Sequence, residues 1–209
     1  MKAKMKILQW MLVLAFAVSN LGMVGQSTDP HFVCPGPYNY WVVPGDVGNS
    51  FTWTISPGVS GTDWTIVQNG NPYTVIITWS NPLVTTLYTV TITETQPGPN
   101  GCTSTRTLDV TVYPAPILVI TNPPAICAPA TVDLTAAAVT AGSTLPLGTT
   151  LTYWQDAGAT IPLTNPNAVA ASGTYYIMAT TSSVPACTDI EPVVVTINPQ
   201  PTTSAIWHD

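Results

Sequence analysis

The sequence predicts an all-β protein, built as two tandem β-sandwich domains that a short Pro-rich linker joins. Three observations predict this fold class: apolar residues alternate with a period of two, turn signals separate the alternating runs, and one strand plan occurs twice in the 209 residues. In the run Tyr88–Glu94, tyrosine, valine and isoleucine alternate with threonine, so the apolar side chains share one face of a strand. Strands that recur about every 10–12 residues in hairpins are typical of β-sandwiches.

Residues 1–25 are predicted to be a secretory signal peptide. Three lysines fall among the first six residues, an apolar run covers residues 7–18, and small residues over 22–25 offer a cleavage site. A membrane anchor is the alternative, but an apolar run of about 12 residues is shorter than the roughly 20 that span a bilayer. We therefore expect an exported protein that is not inserted in a membrane after cleavage and that resides extracellularly, at the cell surface or in the periplasm.

Downstream of the leader the chain is strongly acidic. Arg106 is the only Lys or Arg there, against all ten carboxylates of the sequence, which gives a net formal charge of −9. This composition excludes a basic patch for nucleic acid, a phosphate clamp and a Schiff-base lysine. Electrostatic attraction to anionic lipid is excluded for the same reason.

The two halves share one plan, which aligns Cys102 with Cys187. Apolar residues then fall at equal offsets and each half ends in Pro-x-Pro; the matched residues are Leu108, Val110, Val112, Pro114 and Pro116, and Val193, Val195, Ile197, Pro199 and Pro201. This alignment predicts domains over 30–114 and 117–199, a stiff linker between them and a C-terminal tail over 200–209. Asn69-Gly70 and Asn100-Gly101 predict hairpin turns in the first domain.

An exported chain with four cysteines is expected to pair them. Cys34 and Cys102 bracket the first half, and Cys127 and Cys187 bracket the second, so the spacing predicts one bridge within each domain. Four free thiols are the alternative. Metal ligation is disfavoured because no CxxC pair occurs and the two histidines, His31 and His208, lie near opposite ends.

Each half carries a recognisable pattern of residues. In the first half it is Cys34, Phe51-Thr52-Trp53, Val75 to Trp79, Tyr88 to Ile92, Gly101-Cys102, Val110-Thr111-Val112 and Pro114. In the second half it is Cys127, Tyr153-Trp154, Ser172 to Tyr176, Cys187, Val193 to Ile197 and Pro199. With these residues the first half resembles the PKD-like domains of Bacteroidetes surface proteins, and the second half resembles the immunoglobulin-like repeats of gliding- and type IX secretion-associated proteins. The resemblance implies immunoglobulin-like (PKD-like) sandwiches in spacer, adhesion or surface-assembly roles, usually without catalysis.

Neither catalysis nor a cofactor is predicted. A Ser-His-Asp triad needs a histidine that a carboxylate orients, and His31 and His208 both lie at chain ends. A structural calcium ion is the one cofactor considered, with Asp46, Asp63, Asp156, Asp189 and Glu191 as its oxygen donors. Because no DxDxDG run occurs, solvated acids are the preferred interpretation.

Two segments are candidate binding sites. Tyr38, Tyr40 and Trp41 would form a carbohydrate-binding platform if they are exposed together, whereas core packing is the alternative. In the tail, Ile206, Trp207 and His208 would dock to a partner by adding a strand to its sheet edge, whereas a frayed terminus is the alternative.

The sequence as a whole predicts a non-catalytic exported module for adhesion, spacing or assembly, with a carbohydrate-binding accessory protein as the second hypothesis. Its partner would be a protein or glycan at the cell surface. Uncharged, Thr-rich strands also leave sheet edges poorly protected, so self-assembly through those edges is a further expectation.

Overall fold

The computed structural model describes residues 30–99 and 101–208, so the predicted signal peptide and Asn100 of the second hairpin turn lie outside the described residues. The described chain is all-β, with twelve strands and one 3-10 turn. Its buried apolar residues form two clusters, one within residues 33–112 and one within 118–197. The chain therefore consists of two tandem immunoglobulin-like sandwiches joined by a short Pro-rich linker, as predicted, while the domain bounds 30–114 and 117–199 stay a prediction.

The first domain packs two sheets face to face. Its strands are β1 (His31–Val33), β2 (Gly36–Trp41), β3 (Ser50–Ser56), β4 (Trp64–Asn69), β5 (Asn71–Trp79), β6 (Thr86–Thr95) and β7 (Thr103–Val112). One sheet has the order β1-β7-β6-β3 and the other β2-β5-β4; β1 runs parallel to β7 and the remaining pairs are antiparallel. The core lies between the sheets because alternate side chains point inward, including Val75, Ile77 and Trp79 of β5.

The second domain has a regular sheet facing more irregular segments. Its strands are β8 (Ile126–Cys127), β9 (Thr150–Trp154), β10 (Gly173–Thr180), β11 (Thr188–Val195) and β12 (Ile197–Asn198), with the 3-10 turn at Ala137–Val139. Strands β11, β10 and β9 form one sheet, and β8 pairs in parallel with β12. The opposite layer includes the isolated bridge between Val132 and Val169, and both residues are buried.

The repeat predicted from the sequence appears as identical strand registers. Thr95 pairs with Thr103 in the β6–β7 hairpin, and Thr180 pairs with Thr188 in the β10–β11 hairpin. Adding 85, the separation of Cys187 from Cys102, converts each residue of the first pair into its counterpart in the second. The parallel pairs correspond through their second partners. Val33 opposes Val112 and Ile126 opposes Ile197, and Ile197 lies 85 positions after Val112, whereas Ile126 lies 93 positions after Val33.

The structure contradicts the predicted disulfide pairing. Cys34 is bonded to Cys187, so the bridge joins the two domains, and Cys102 and Cys127 are free and exposed. The reason is the length of β7. Cys34 follows β1, which pairs with the end of β7, whereas Cys102 precedes the start of β7, and the ten residues of that strand separate the two cysteines by roughly 30 Å. A disulfide requires Cα atoms within about 7 Å, so Cys34 and Cys102 cannot meet.

The hairpin at Asn69-Gly70 is confirmed, because β4 and β5 pair antiparallel around it and Gly70 has a φ of +78°. Strands β6 and β7 also form an antiparallel hairpin, with a longer connection in which Gly98 has a φ of +114°. Within the residues that the structure describes, no helix has both the length and the apolar character that crossing a membrane requires.

Candidate functional site

The three aromatic residues predicted to form a platform lie on two faces of β2. Tyr40 is buried in the core and Tyr38 packs against it, whereas Trp41 points to the opposite face and is 45% exposed. Adjacent residues of a strand project to opposite sides of its sheet. Tyr38 and Tyr40 therefore cannot share an exposed surface with Trp41, and the single predicted platform does not exist.

Tyr40 is the centre of a buried polar contact across the sandwich. The indole Nε1 of Trp79 donates a hydrogen bond to the Tyr40 hydroxyl oxygen at 3.0 Å, and Nδ1 of His31 lies 3.0 Å from the same oxygen. Burial raises the pKa of Tyr40 to about 12 and lowers the pKa of His31. Since His31 belongs to β1 and Tyr40 to β2, this contact fastens one sheet to the other and gives His31 a structural role.

The exposed side of the β2-β5-β4 sheet forms an uncharged surface. Inward residues of β5 alternate with Thr74, Ile76 and Thr78 on this side, and the strand register places Trp41 beside Thr74 and Val67 beside Ile76. We call this surface the outer face; its residues are Pro37, Asn39, Trp41, Thr65, Val67, Thr74, Ile76 and Thr78. It combines an indole ring with hydroxyl and amide groups, a mixture suited to stacking on a sugar ring and hydrogen-bonding its hydroxyls.

The segment between the domains is held from both sides. The side chain of Asn81 donates to the carbonyl of Ala115 at 3.1 Å and accepts from its N–H at 2.9 Å. On the other side, the N–H of Leu118 donates to Oδ2 of Asp189 at 2.7 Å. Together with the Cys34–Cys187 bond these contacts form what we call the junction. Asn81 ties the linker to the first domain, the Leu118–Asp189 contact lies at the start of the second domain, and the disulfide ties one domain to the other.

The acids considered as calcium donors serve turns and the junction. Oδ2 of Asp63 accepts from the N–H of Val59 at 2.7 Å, and Oδ2 of Asp189 accepts from the N–H of Leu118 at the start of the second domain. Asp156 accepts backbone hydrogen bonds, above all from Ile161, and these bonds lower the pKa of its carboxyl group. Over 30–99 and 101–208, no group of three or more His, Cys, Asp or Glu side chains is placed to hold a metal ion. A calcium site, which would also have drawn on Asp46 and Glu191, stays a prediction.

The C-terminal tail presents apolar residues to solvent. Ile206 and Trp207 are almost fully exposed, His208 is exposed, and no strand is formed after Asn198 in the described chain. Docking of this tail to a partner stays a prediction. Self-assembly through sheet edges does too; β3, β2, β4, β9 and β11 are edge strands of their sheets.

The junction and the two free thiols were not predicted from the sequence. The repeat contained the signal that locates both. It aligns Cys102 with Cys187, and because each precedes the last long strand of its domain, the two cysteines mark the same end of each sandwich.

Comparisons with known proteins add a fold similarity. No protein-family model matches the chain, and no curated protein matches its sequence. Among solved structures, the chain is similar to an I-band fragment of titin, with 9% identity, a TM-score of 0.32 and coverage of 81% of this chain and 63% of that one. It is similar to the tandem Ig repeats of Dlar, with 16% identity, a TM-score of 0.29 and coverage of 82% and 95%. It is also similar to a SusE-like surface located polysaccharide binding protein from the Bacteroides thetaiotaomicron heparin utilisation locus, with 10% identity, a TM-score of 0.37 and coverage of 81% and 32%. Similarities at this level carry no statement about function.

Proposed function

We propose that the protein is a non-catalytic exported module that acts at the cell surface as a rigid spacer, adhesion or assembly unit. The observation that supports this proposal is the junction, where a disulfide joins the two domains and two hydrogen bonds from Asn81 hold the linker on the first domain. The resemblance to repeats of gliding- and type IX secretion-associated surface proteins belongs to the same proposal. No cofactor is part of it.

The junction favours a spacer because it removes the hinge that a linker normally provides. Tandem domains move relative to one another unless their interface is large or fastened. Here Asn81 immobilises Ala115 in the middle of the linker, and the Cys34–Cys187 bond supplies a second covalent connection between the domains. Two connections at different points restrict both bending and rotation, so the distance between the far ends of the two domains is fixed.

The disulfide also supports the proposed location. Bridges of this kind persist in oxidising environments such as the periplasm and the cell exterior, and cytosolic reductants keep thiols reduced. A surface or periplasmic location therefore agrees with a native Cys34–Cys187 bond. Digestion of intact and lysed cells with a protease, followed by detection of the C-terminal tail, distinguishes the two locations.

Nuclear magnetic resonance tests the rigidity. Residual dipolar couplings of a variant lacking the free thiols, Cys102→Ser/Cys127→Ser, should fit one alignment tensor for both domains. Adding Cys34→Ser and Cys187→Ser should produce two different tensors. If the bridged protein already requires two tensors, the domains move independently and the rigid-spacer proposal is wrong.

A second candidate function is carbohydrate binding by the outer face. The specific observation is that Trp41 is 45% exposed on a surface of eight uncharged residues. A half-exposed indole on a strand presents a flat apolar ring on which a sugar ring can stack, at a small cost in conformational freedom.

A glycan array with purified protein tests this candidate. Binding to any glycan should disappear in Trp41→Ala and persist in Trp207→Ala, which removes an equally large exposed ring from the tail. An array without binding by the parent protein, or equal binding by Trp41→Ala, contradicts the carbohydrate hypothesis and leaves the spacer proposal unaffected.

A further inference from the structure

Each domain carries one cysteine at each of its two ends. We call the end where the last long strand begins the entry end and the end where the chain leaves the exit end. Cys102 and Cys187 occupy the entry ends. The carbonyl of Cys102 accepts a hydrogen bond from the N–H of Gln96, and the carbonyl of Cys187 accepts one from the N–H of Thr181, which lies 85 positions after Gln96. The repeat therefore places these two cysteines in the same backbone environment.

The exit ends match in the same way. Cys127 pairs with Asn198 in the parallel β8–β12 ladder. Cys34 directly follows Val33, whose carbonyl accepts from the N–H of Tyr113, the residue that corresponds to Asn198. Cys34 and Cys127 are thus equivalent positions of the two domains.

The existing bridge joins the exit end of one domain to the entry end of the next. It uses Cys34 of the first domain and Cys187 of the second, and Cys187 is only 1% exposed where the first domain is bonded to it. The two thiols left over are Cys102, at the entry end of the first domain, and Cys127, at the exit end of the second, and both are exposed. These two thiols are therefore one exit-end and one entry-end cysteine, the same combination that forms the existing bridge, and they lie at opposite ends of the molecule.

We propose that copies of this chain join head to tail through a disulfide between Cys127 of one copy and Cys102 of the next. Each intermolecular contact would repeat the exit-to-entry arrangement that Cys34 and Cys187 form within the molecule. An interface between two different surfaces of the same chain does not close on a pair, so it generates an open polymer or a ring of several copies. The inference deepens the assembly role proposed above and rests on it for the oxidising compartment.

The tail supports this arrangement. Pro199 and Pro201 follow β12 as Pro114 and Pro116 follow β7, so the chain leaves the exit end of the second domain with the same Pro-x-Pro sequence as the linker. The side-chain contacts of the existing junction are not repeated at the new one, since Pro166 stands 85 positions after Asn81. Ser104 stands at the position of Asp189, so a hydroxyl would replace the carboxylate that accepts from Leu118.

Bond formation requires a two-electron oxidant, for which a small disulfide of the class of oxidised glutathione suffices. The thiolate of one cysteine attacks the reagent, forms a mixed disulfide and releases one thiol. The thiolate of the second copy then attacks the protein sulfur of this mixed disulfide and releases a second thiol. The two cysteine protons end on the two released thiols, and the reagent takes both electrons.

The test is oxidation of the purified mature protein, with its native bridge intact, by oxidised glutathione, followed by non-reducing gel electrophoresis. Wild-type protein should give a ladder of dimers, trimers and longer species that a reductant collapses. Cys102→Ser and Cys127→Ser should each lose every species above the dimer. An equimolar mixture of the two variants should give a dimer, since only one Cys127–Cys102 bond is available to it.

Mass spectrometry of the dimer formed in the mixture identifies the bond. A peptide joining Cys102 to Cys127 should dominate over Cys102–Cys102 and Cys127–Cys127 peptides. Wild-type protein that stays monomeric with both thiols glutathionylated, or same-site bridges that dominate, would overturn head-to-tail assembly. The proposed rigid spacer is unaffected by either outcome, because its alignment-tensor test uses a variant without Cys102 and Cys127.

Discussion

Replacing Cys34 and Cys187 with serine should destabilise both domains, because the bond between them closes a loop around each. If the first domain unfolds while the second stays folded, the chain between Cys34 and the linker remains anchored at both ends. The same holds for the second domain between the linker and Cys187. A bridge inside one domain would constrain that domain alone, so the two pairings make different predictions for the partner domain.

The loop lengths set the size of the effect. The unfolded first domain forms a closed loop of roughly 80 residues and the second one of roughly 70, for which the chain-entropy relation gives about 4.5 kcal/mol each. If both domains unfold together, the closed loop spans the sequence separation of 153 residues, which corresponds to about 5 kcal/mol. For a domain of this size, such a loss lowers Tm on the order of 20 °C.

The comparison is best made in a Cys102→Ser/Cys127→Ser parent, which is free of thiols. Urea unfolding followed by tryptophan fluorescence reports mainly on the first domain, which holds Trp41, Trp53, Trp64 and Trp79, whereas the second domain holds only Trp154. Hydrogen exchange measured by mass spectrometry reports on peptides of both domains. The parent should match wild type in stability, and Cys34→Ser/Cys187→Ser should lower the free energy of unfolding of both domains.

Two results would refute this reasoning. One is a loss of stability confined to a single domain when the Cys34–Cys187 bond is removed. The other is a parent that is itself several kcal/mol less stable than wild type, which would mean that Cys102 and Cys127 take part in bridges within the domains.

Four further predictions concern the first domain. Tyr40→Phe should lower the free energy of unfolding by about 1–3 kcal/mol in urea melts, because it leaves the buried Trp79 Nε1 without an acceptor, whereas Tyr38→Phe should have little effect. Stability should fall as the pH drops below 6.5, because burial lowers the pKa of His31 from that usual value and the unfolded chain protonates first; a pH series on His31→Gln should lack this step. It should fall again between pH 10.0 and about 12, where an unfolded tyrosine ionises before Tyr40 does, and less so in Tyr40→Phe. Gly58→Ala should cost about 1 kcal/mol or more in thermal melts, because Gly58 has a φ of +106°.

The sequence was informative wherever a local pattern decides the structure. Period-two alternation in Tyr88–Glu94 identified a strand whose Tyr88, Val90 and Ile92 are all buried. The alignment of Cys102 with Cys187 anticipated two hairpins of identical register. Such features depend on neighbouring residues and on which face is buried, so they can be predicted from one chain.

The pairing of the cysteines could not be obtained from their order along the chain. Their order in the sequence suggests that Cys34 pairs with Cys102. In the structure the two cysteines lie at opposite ends of the first sandwich, separated by the ten-residue strand β7. The aromatic platform failed for a related reason. Tyr40 and Trp41 are adjacent in sequence, and adjacency in a strand places side chains on opposite faces, which the alternation rule itself implies.

The bond between Cys34 and Cys187 also determines how the molecule responds to mechanical force. Tension applied between its N- and C-terminal segments passes from the region of Cys34 directly through the sulfur atoms to Cys187, and the chain between them, with a sequence separation of 153 residues, carries no load. Fully extended, that length would lengthen the molecule on the order of 500 Å. The disulfide prevents this extension. Under load the protein therefore behaves as a short, nearly inextensible element until the disulfide is reduced.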